Sequence, residues 1–281
     1  MQGKVVVITG GTSGIGQVAA EQLASKGARL VLVARDRARG EATLERLRAR
    51  GPGAHHRAHY ADLSLIGDTR RVAAEIAAAE PRVDVLINNA GAMFGTRRVT
   101  PDGLERTFAL NHVSYFLLTH GLRDRLRAGA PARVVNTASR AHRRARLDFE
   151  DLQSARDYSG LMVYSRSKLC NILYTRELAR RSAGTGVTVN SLHPGFVATR
   201  FGDASGGFFS YVVRAAKKVF ALSPEKGAET LVFLASSPEV ATISGGYFYQ
   251  CHLATPTRAA QDDAVARRLW AETERLAGVP A

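Results

Sequence analysis

Lys4-Val5-Val6-Val7-Ile8-Thr9 runs directly into Gly10-Gly11-Thr12-Ser13-Gly14-Ile15-Gly16. The first six residues are mostly apolar and β-branched, which predicts a short buried strand. Glycines then break the pattern, and an amphipathic helix pattern follows through Val18, Ala19, Leu23 and Ala24. Strand, glycine turn and helix in that order bring bare backbone and the positive end of a helix to one point, a setting suited to the phosphates of a dinucleotide. Gly10, Thr12, Ser13, Gly14, Ile15 and Gly16 are therefore the first candidate binding residues. Their spacing is Thr-Gly-x-x-x-Gly-x-Gly rather than Gly-x-Gly-x-x-Gly, and taken alone it also fits an ordinary turn.

Working outward, the alternation repeats. Arg29 to Ala34, Arg57 to Tyr60, Val83 to Ile87, Arg133 to Thr137, Val187 to Leu192 and Gly246 to Gln250 read as strands. Helices are expected from Arg37 to Arg50, where Gly51-Pro52-Gly53 ends the run, and from Ser64 toward Glu80. Thr100-Pro101 reads as the cap of a helix carrying Asn111, and Ser223-Pro224-Glu225 as another cap. A polar insertion from Arg140 to Gly160 precedes the helix of Tyr164. Strands alternating with helices predict an α/β fold, a doubly wound parallel sheet with helices on both faces. Ligands in such sheets bind at the carboxyl ends of the strands. The 281 residues, 45% of them hydrophobic, are enough for one large core. We expect a single domain over 1–281, with a cofactor half to about residue 135 and a catalytic and substrate half beyond it.

Composition narrows the function classes. No run approaches the ~18 apolar residues of a membrane span, and Met1-Gln2-Gly3-Lys4 leads straight into the first strand, so a soluble, cytoplasmic protein is expected. Cys170 and Cys251 lie far apart without ligand spacing, which argues for packed thiols over zinc or disulfides. His55, His56 and His59 lack a partnering carboxylate pattern, so no metal is expected. The net charge of +14 attracts polyanions. It comes mostly from arginines scattered over helix faces with few stacking aromatics, which makes nucleic acid an unlikely partner.

Tyr164 and Lys168 are four residues apart on a predicted helix, which puts a phenol and an ammonium on one face. A free phenol titrates near pH ~10; a cation within a few ångströms favours phenolate and makes tyrosine a plausible acid and base. With Thr9 to Gly16, Asn88-Asn89-Ala90-Gly91, Asn111, Ser139, Tyr164-x-x-x-Lys168 and Pro194-Gly195 in order, the chain resembles the short-chain dehydrogenase/reductase family, whose fold is the Rossmann type. Asn111-His112, Ala138-Ser139-Arg140-Ala141-His142, Ser167-Lys168-Leu169-Cys170-Asn171 and Ala266-Arg267-Arg268-Leu269-Trp270 make it similar to the retinol dehydrogenase-like branch. The long separation of Ser139 and Tyr164 matches that branch as well.

The resemblance implies hydride transfer between a nicotinamide cofactor and a carbonyl or alcohol. Tyr164 would be the acid and base, Lys168 would lower its pKa and bind the nicotinamide ribose, and Ser139 would donate to the substrate oxygen. Asn111 would hold a water that resupplies protons. Asp62, with Leu63, would contact the adenine, and Asn88, Asn89, Ala90 and Gly91 would line the ribose and pyrophosphate. Pro194, Gly195, Val197 and Thr199 would surround the carboxamide. Simpler readings stay open: a helix cap for Asp62, turns for Asn88-Asn89 and Pro194-Gly195, and local backbone bonding for Ser139. Relatives pair through the helices carrying Asn111 and Tyr164, which implies a possible homodimer or homotetramer.

Cofactor choice is read from the end of the second strand. NAD selection wants an acid there; this chain has Ala34 and then Arg35, so NADP(H) is favoured over NAD(H). Asp36, one residue on, keeps NAD as an alternative. Phe196, Phe201, Phe208, Phe209 and Tyr211, between Gly202, Gly206 and Gly207, either close over an apolar small-molecule substrate or form the buried side of a short helix. The competing classes are a non-catalytic dinucleotide-binding regulator and a basic protein that binds nucleic acid or anionic lipid.

Overall fold

The computed structural model describes residues 1–51, 53–195 and 223–279. Its core is one eight-stranded sheet of order β3-β2-β1-β4-β5-β6-β7-β8. The strands are β1 Val5–Thr9, β2 Arg29–Ala34, β3 Arg57–Tyr60, β4 Val85–Asn88, β5 Ala132–Thr137, β6 Val187–Leu192, β7 Tyr247–Tyr249 and β8 His252–Leu253. All neighbours run parallel except β7 and β8, which form an antiparallel hairpin. The strand order reverses between β1 and β4.

β1 shows why the sheet is covered twice. Successive side chains point to opposite faces, so Val6 and Ile8 join one core cluster while Val5 and Val7 join another. The first cluster is closed by α1 (Gly14–Ser25), α2 (Arg37–Arg50) and α8 (Pro224–Ser236), through Leu23, Leu47 and Leu231 among others. The second is closed by α3 (Ile66–Ala79), α5 (Ser114–Gly121) and α6 (Arg123–Ala128), through Ile76, Leu118 and Leu126. Each fully buried aliphatic side chain stabilises the fold by about 1.5–3 kcal/mol. α7 (Gly160–Arg181) packs on the same side as α5, and the C-terminal helix α9 (Asp263–Ala277) packs on α7. Among the described residues no helix is long and apolar enough to cross a membrane.

β2, α2, β3 and β6 have the expected bounds, and Ser223 caps α8 by accepting from the Lys226 amide. Two readings need correction. Thr100-Pro101 does not start the helix of Asn111: the Thr100 hydroxyl accepts from Leu104 N in a turn, and Glu105 caps the short helix α4 (Arg106–Phe108) by accepting from Phe108 N. α4 continues through a π-helical turn, Ala109–Val113, into α5. Asp62 is not a helix cap either, because α3 begins only at Ile66; its carboxylate accepts from the Ser64 amide and hydroxyl. The hairpin partner β8 was not anticipated.

Candidate active site

The glycine turn is a cradle made by missing side chains. Gly10 and Gly14 take the left-handed backbone, at φ 66° and 55°. A Cβ on Gly16 would stand 2.3 Å from the Gly10 carbonyl oxygen, and one on Gly10 would stand 2.9 Å from Ala90 Cα. The β1 and β4 ends therefore close on each other too tightly for a side chain on either glycine. The Thr9 hydroxyl accepts from the amides of Asn89 and Ala90. The Asn89 amide donates to the Thr9 and Gly10 carbonyls, and its oxygen accepts from the Thr137 hydroxyl, linking the ends of β1, β4 and β5. Above the cradle, the first turn of α1 carries no acidic residue, and Ser13 makes no side-chain cap. Its N–H groups thus remain open to a phosphate. Thr12 and Ile15 are half-buried beside it and Ser13 is exposed.

At the end of β2, Ala34 is buried and Arg35 exposed. The Asp36 carboxylate accepts from Arg39 N as the cap of α2. Leu63 sends its side chain into the core. Asn88 departs from the cofactor role: it is fully buried and donates to Thr119 and to Asn136, which donates to Thr175 on α7. It joins sheet to helices beneath the crevice. His193 accepts from Gly195 N and stacks on Tyr249 at 4.1 Å, holding the Pro194-Gly195 turn at the end of β6, with Gly195 at φ 85°. Val197, Thr199 and the aromatic segment from Phe196 to Tyr211 lie outside the described residues.

The four residues assigned to chemistry converge beyond the ends of β4 and β5. Ser139 follows β5, its hydroxyl accepts from Ala141 N, and its side chain is near enough to the Tyr164 phenol to act on it electrostatically. The local backbone bond leaves Ser139 still beside the phenol. Lys168 Nζ lies 5.6 Å from the centre of the Tyr164 ring and 5.8 Å from that of Tyr115. It donates to the Thr137 carbonyl at 2.9 Å. Asn111, in the π-turn, is fully buried: its oxygen accepts from Ala92 N, and its amide donates to Ala92 O and the Ser167 hydroxyl. A Cβ on Gly91 would stand 3.2 Å from Asn111 Oδ1 and 3.3 Å from Lys168 Nζ, so glycine is what lets the three meet.

One expectation about electrostatics fails. Lys168 does not hold the phenol below its usual range. Burial pushes Tyr164 up to about 12, against a smaller downward pull from Ser139, and pushes Lys168 down to about 7. Both are under a tenth exposed, and loss of water disfavours charge on each. Burial thus favours the neutral phenol and weakens the hold of the amine on its proton.

Sequence reasoning missed three supporting groups. Asn171 donates to the same Thr137 carbonyl that Lys168 uses, at 3.2 Å. The Ser167 hydroxyl donates to the Tyr164 carbonyl while receiving Asn111. His142 bonds the Ser139 carbonyl. Asn171 and His142 stood inside the quoted motifs, and their spacing from Lys168 and Ser139 was the available signal. Elsewhere, His56 accepts from Leu30 N and His59 pairs with Glu75. Among the described residues no His, Cys, Asp or Glu cluster is placed to hold a metal. Cys170 is buried and Cys251 partly so.

A doubly wound sheet with a glycine cradle at its reversal point and a Ser-Tyr-Lys group beside it defines an oxidoreductase class. Residues 4–206 match the short chain dehydrogenase family, and the chain belongs to that family. Within it the chain falls in the retinol dehydrogenase-like branch. It is 41% identical to human retinol dehydrogenase 13 over 284 positions, covering 99% of this chain and 86% of that protein. It is 40% identical to mouse retinol dehydrogenase 14, covering 99% and 87%. Among solved structures, a protein of Mycobacterium paratuberculosis superposes with a TM-score of 0.79 at 31% identity, covering 100% of this chain and 96% of that one. RhlG of Pseudomonas aeruginosa, solved as an NADP active-site complex, gives 0.71 at 30% identity, covering 88% and 94%.

Proposed function

We propose that this protein is an NADP(H)-dependent alcohol dehydrogenase or carbonyl reductase acting on a moderately large apolar substrate, retinoid-, steroid- or specialised-metabolite-like. The observation that carries the reading is the convergence of the Ser139 and Tyr164 side chains with Lys168 Nζ 5.6 Å from the centre of the phenol ring, at the strand ends beside the glycine cradle. When bound, the nicotinamide supplies the hydride to a carbonyl carbon or takes it up in the reverse direction. Ser139 holds the substrate oxygen, and Tyr164 delivers the proton that oxygen needs. Lys168 would return a proton to Tyr164, and an amine that burial lowers to about 7 suits that exchange.

The cradle of Gly10, Gly14 and Gly16, the open α1 N-terminus, Asn89, Ala90 and Gly91 would hold the pyrophosphate and ribose. Arg35 would meet the 2′-phosphate, since Asp36 is engaged in capping α2 and an exposed guanidinium suits phosphate. RhlG's NADP complex and the retinol dehydrogenase names support this cofactor and substrate class. Part of the basic surface is paired with acids, as in Arg71 with Asp68 and Glu75 and Arg181 with Glu177, which supports a solvated surface over a nucleic-acid site.

The test is a carbonyl and alcohol panel including all-trans-retinal, followed at the nicotinamide absorbance with both cofactors. Tyr164→Phe is expected to lower kcat by at least about 100-fold while NADPH still binds. Retained turnover would remove Tyr164 from the reaction. Absence of turnover in the native chain with bound NADPH would favour a dinucleotide-binding regulator.

A further inference from the structure

Two histidines beside the site take no part in the proton transfer, and both are shut off from solvent: His112 is 1% exposed and His142 0%. His112 follows Asn111 directly, and His142 stands three residues after Ser139. Each reaches the C-terminal stretch. His142 Nδ1 lies 2.7 Å from the Ser139 carbonyl oxygen, and the Thr257 amide donates to His142 Nε2 over 3.3 Å. A carbonyl only accepts and an amide N–H only donates, so a single form of the ring serves both, the neutral one with its proton on Nδ1. Tyr247 packs edge-on against that ring at 5.2 Å. His112 Nε2 lies 2.9 Å from the Thr273 hydroxyl on α9. The helix is further fixed by Trp270, in ring contact with Phe116 at 4.9 Å and Tyr174 at 5.7 Å, and by Arg268 over Phe149 of the insertion at 4.2 Å.

We propose that the C-terminal segment from Ala254 to Ala277 is a positioning element of the active site, with His142 and His112 as buried struts that fix Ser139 and the π-turn of Asn111 against it. The proposal rests on the roles given above to Ser139, Tyr164 and Asn111. Neither histidine touches the reacting atoms. Their effect is on placement, and placement is costly to lose: a shift of about 1 Å in a reacting group lowers the rate on the order of 100-fold. One strut sets the backbone from which the Ser139 hydroxyl projects. The other sets the turn that carries Asn111 to Ala92 and Ser167.

His142→Phe keeps a ring against Tyr247 and removes both hydrogen bonds. With NADPH and either all-trans-retinal or 4-nitrobenzaldehyde, kcat is expected to fall about 10- to 100-fold. The NADPH dissociation constant and the emission of Trp270, the chain's single tryptophan, are expected to hold steady. Amide hydrogen exchange in residues 139–144 is expected to quicken. His142→Asn, which restores a donor near the Nδ1 position, is expected to recover part of the rate. Thr273→Val, equal in shape but without the hydroxyl, is expected to lower kcat by about threefold, the worth of one ordinary hydrogen bond.

Unchanged kcat and unchanged exchange in His142→Phe, with Tyr164→Phe inactive, overturn the struts and leave the site assignment standing. A native chain inactive on every carbonyl overturns the assignment instead, and exchange in residues 139–144 of His142→Phe then decides the strut by itself. If His142→Phe does not fold, Thr273→Val decides: native kcat with native exchange in residues 109–113 overturns the proposal.

Discussion

The glycine cradle and the catalytic floor lie side by side and are built on opposite principles. Between Gly10 and Gly16 the chain works by leaving side chains out, so that backbone approaches backbone and N–H groups stay available. Around Asn111, Ser139 and Lys168 it works by side chains whose polar atoms are engaged by a named partner. The first region is vulnerable to an added atom and the second to a lost one.

The largest effect is expected on the floor. Asn111→Leu leaves the Ala92 amide and carbonyl without their buried partner, and stability should fall by about 4 kcal/mol, read by urea unfolding. A loss below about 1 kcal/mol would mean the π-turn re-forms without its amide. Acid attacks the same region. Burial lowers His112 from 6.5 to about 4, so the folded chain resists a proton that the unfolded chain accepts. Stability is therefore intact above pH 6.5 and drains away as pH falls through 4, by on the order of 3 kcal/mol. Unfolding at pH 7 and pH 5 should show a smaller difference in His112→Gln than in the native chain; equal differences would assign the acid sensitivity elsewhere.

The cradle should answer to volume. Gly16→Ala places a methyl within 2.5 Å of the Asn89 amide nitrogen and closer still to the Gly10 carbonyl. Overpacking of about 2 kcal/mol and a weaker NADPH dissociation constant are expected from thermal melting and fluorescence titration. Normal binding by the alanine variant would break the contrast between the regions. Smallest of all, Asp36→Ala should cost about 1 kcal/mol, the worth of a helix cap, and leave the NADPH-to-NADH preference unchanged. A shift in that preference would put Asp36 on the ribose after all.

The contrast also explains what the sequence made legible. The cradle depends on local signals, glycines after a β-branched run, and Arg29–Ala34 and Arg37–Arg50 were bounded correctly by such signals. The floor depends on partners far away in the chain. Glu105, not Thr100, starts the helix because its amide is held by Gln153, 48 residues on, and its carboxylate is free to cap. His142 meets Thr257 across 115 residues, and no local pattern announces it. The β7–β8 hairpin escaped notice because its turn places Gln250 and Cys251 at φ 49° and 65°, where glycine or asparagine is the usual marker. The opposite shifts of Tyr164 and Lys168 were equally hidden, since spacing reveals that they meet and only burial decides how each holds its proton.

That hairpin bears on how the molecule behaves in a crowd. A parallel sheet left open at β7 would present unpaired amides and carbonyls as a template for strands of other chains. Instead the rim ends in β8, two exposed residues long and turned by a pair of left-handed residues, too short to nucleate a continuing ladder. Lengthening β8, or relaxing its turn, would open that rim to strands of other chains and promote edge-to-edge stacking and aggregation at high concentration.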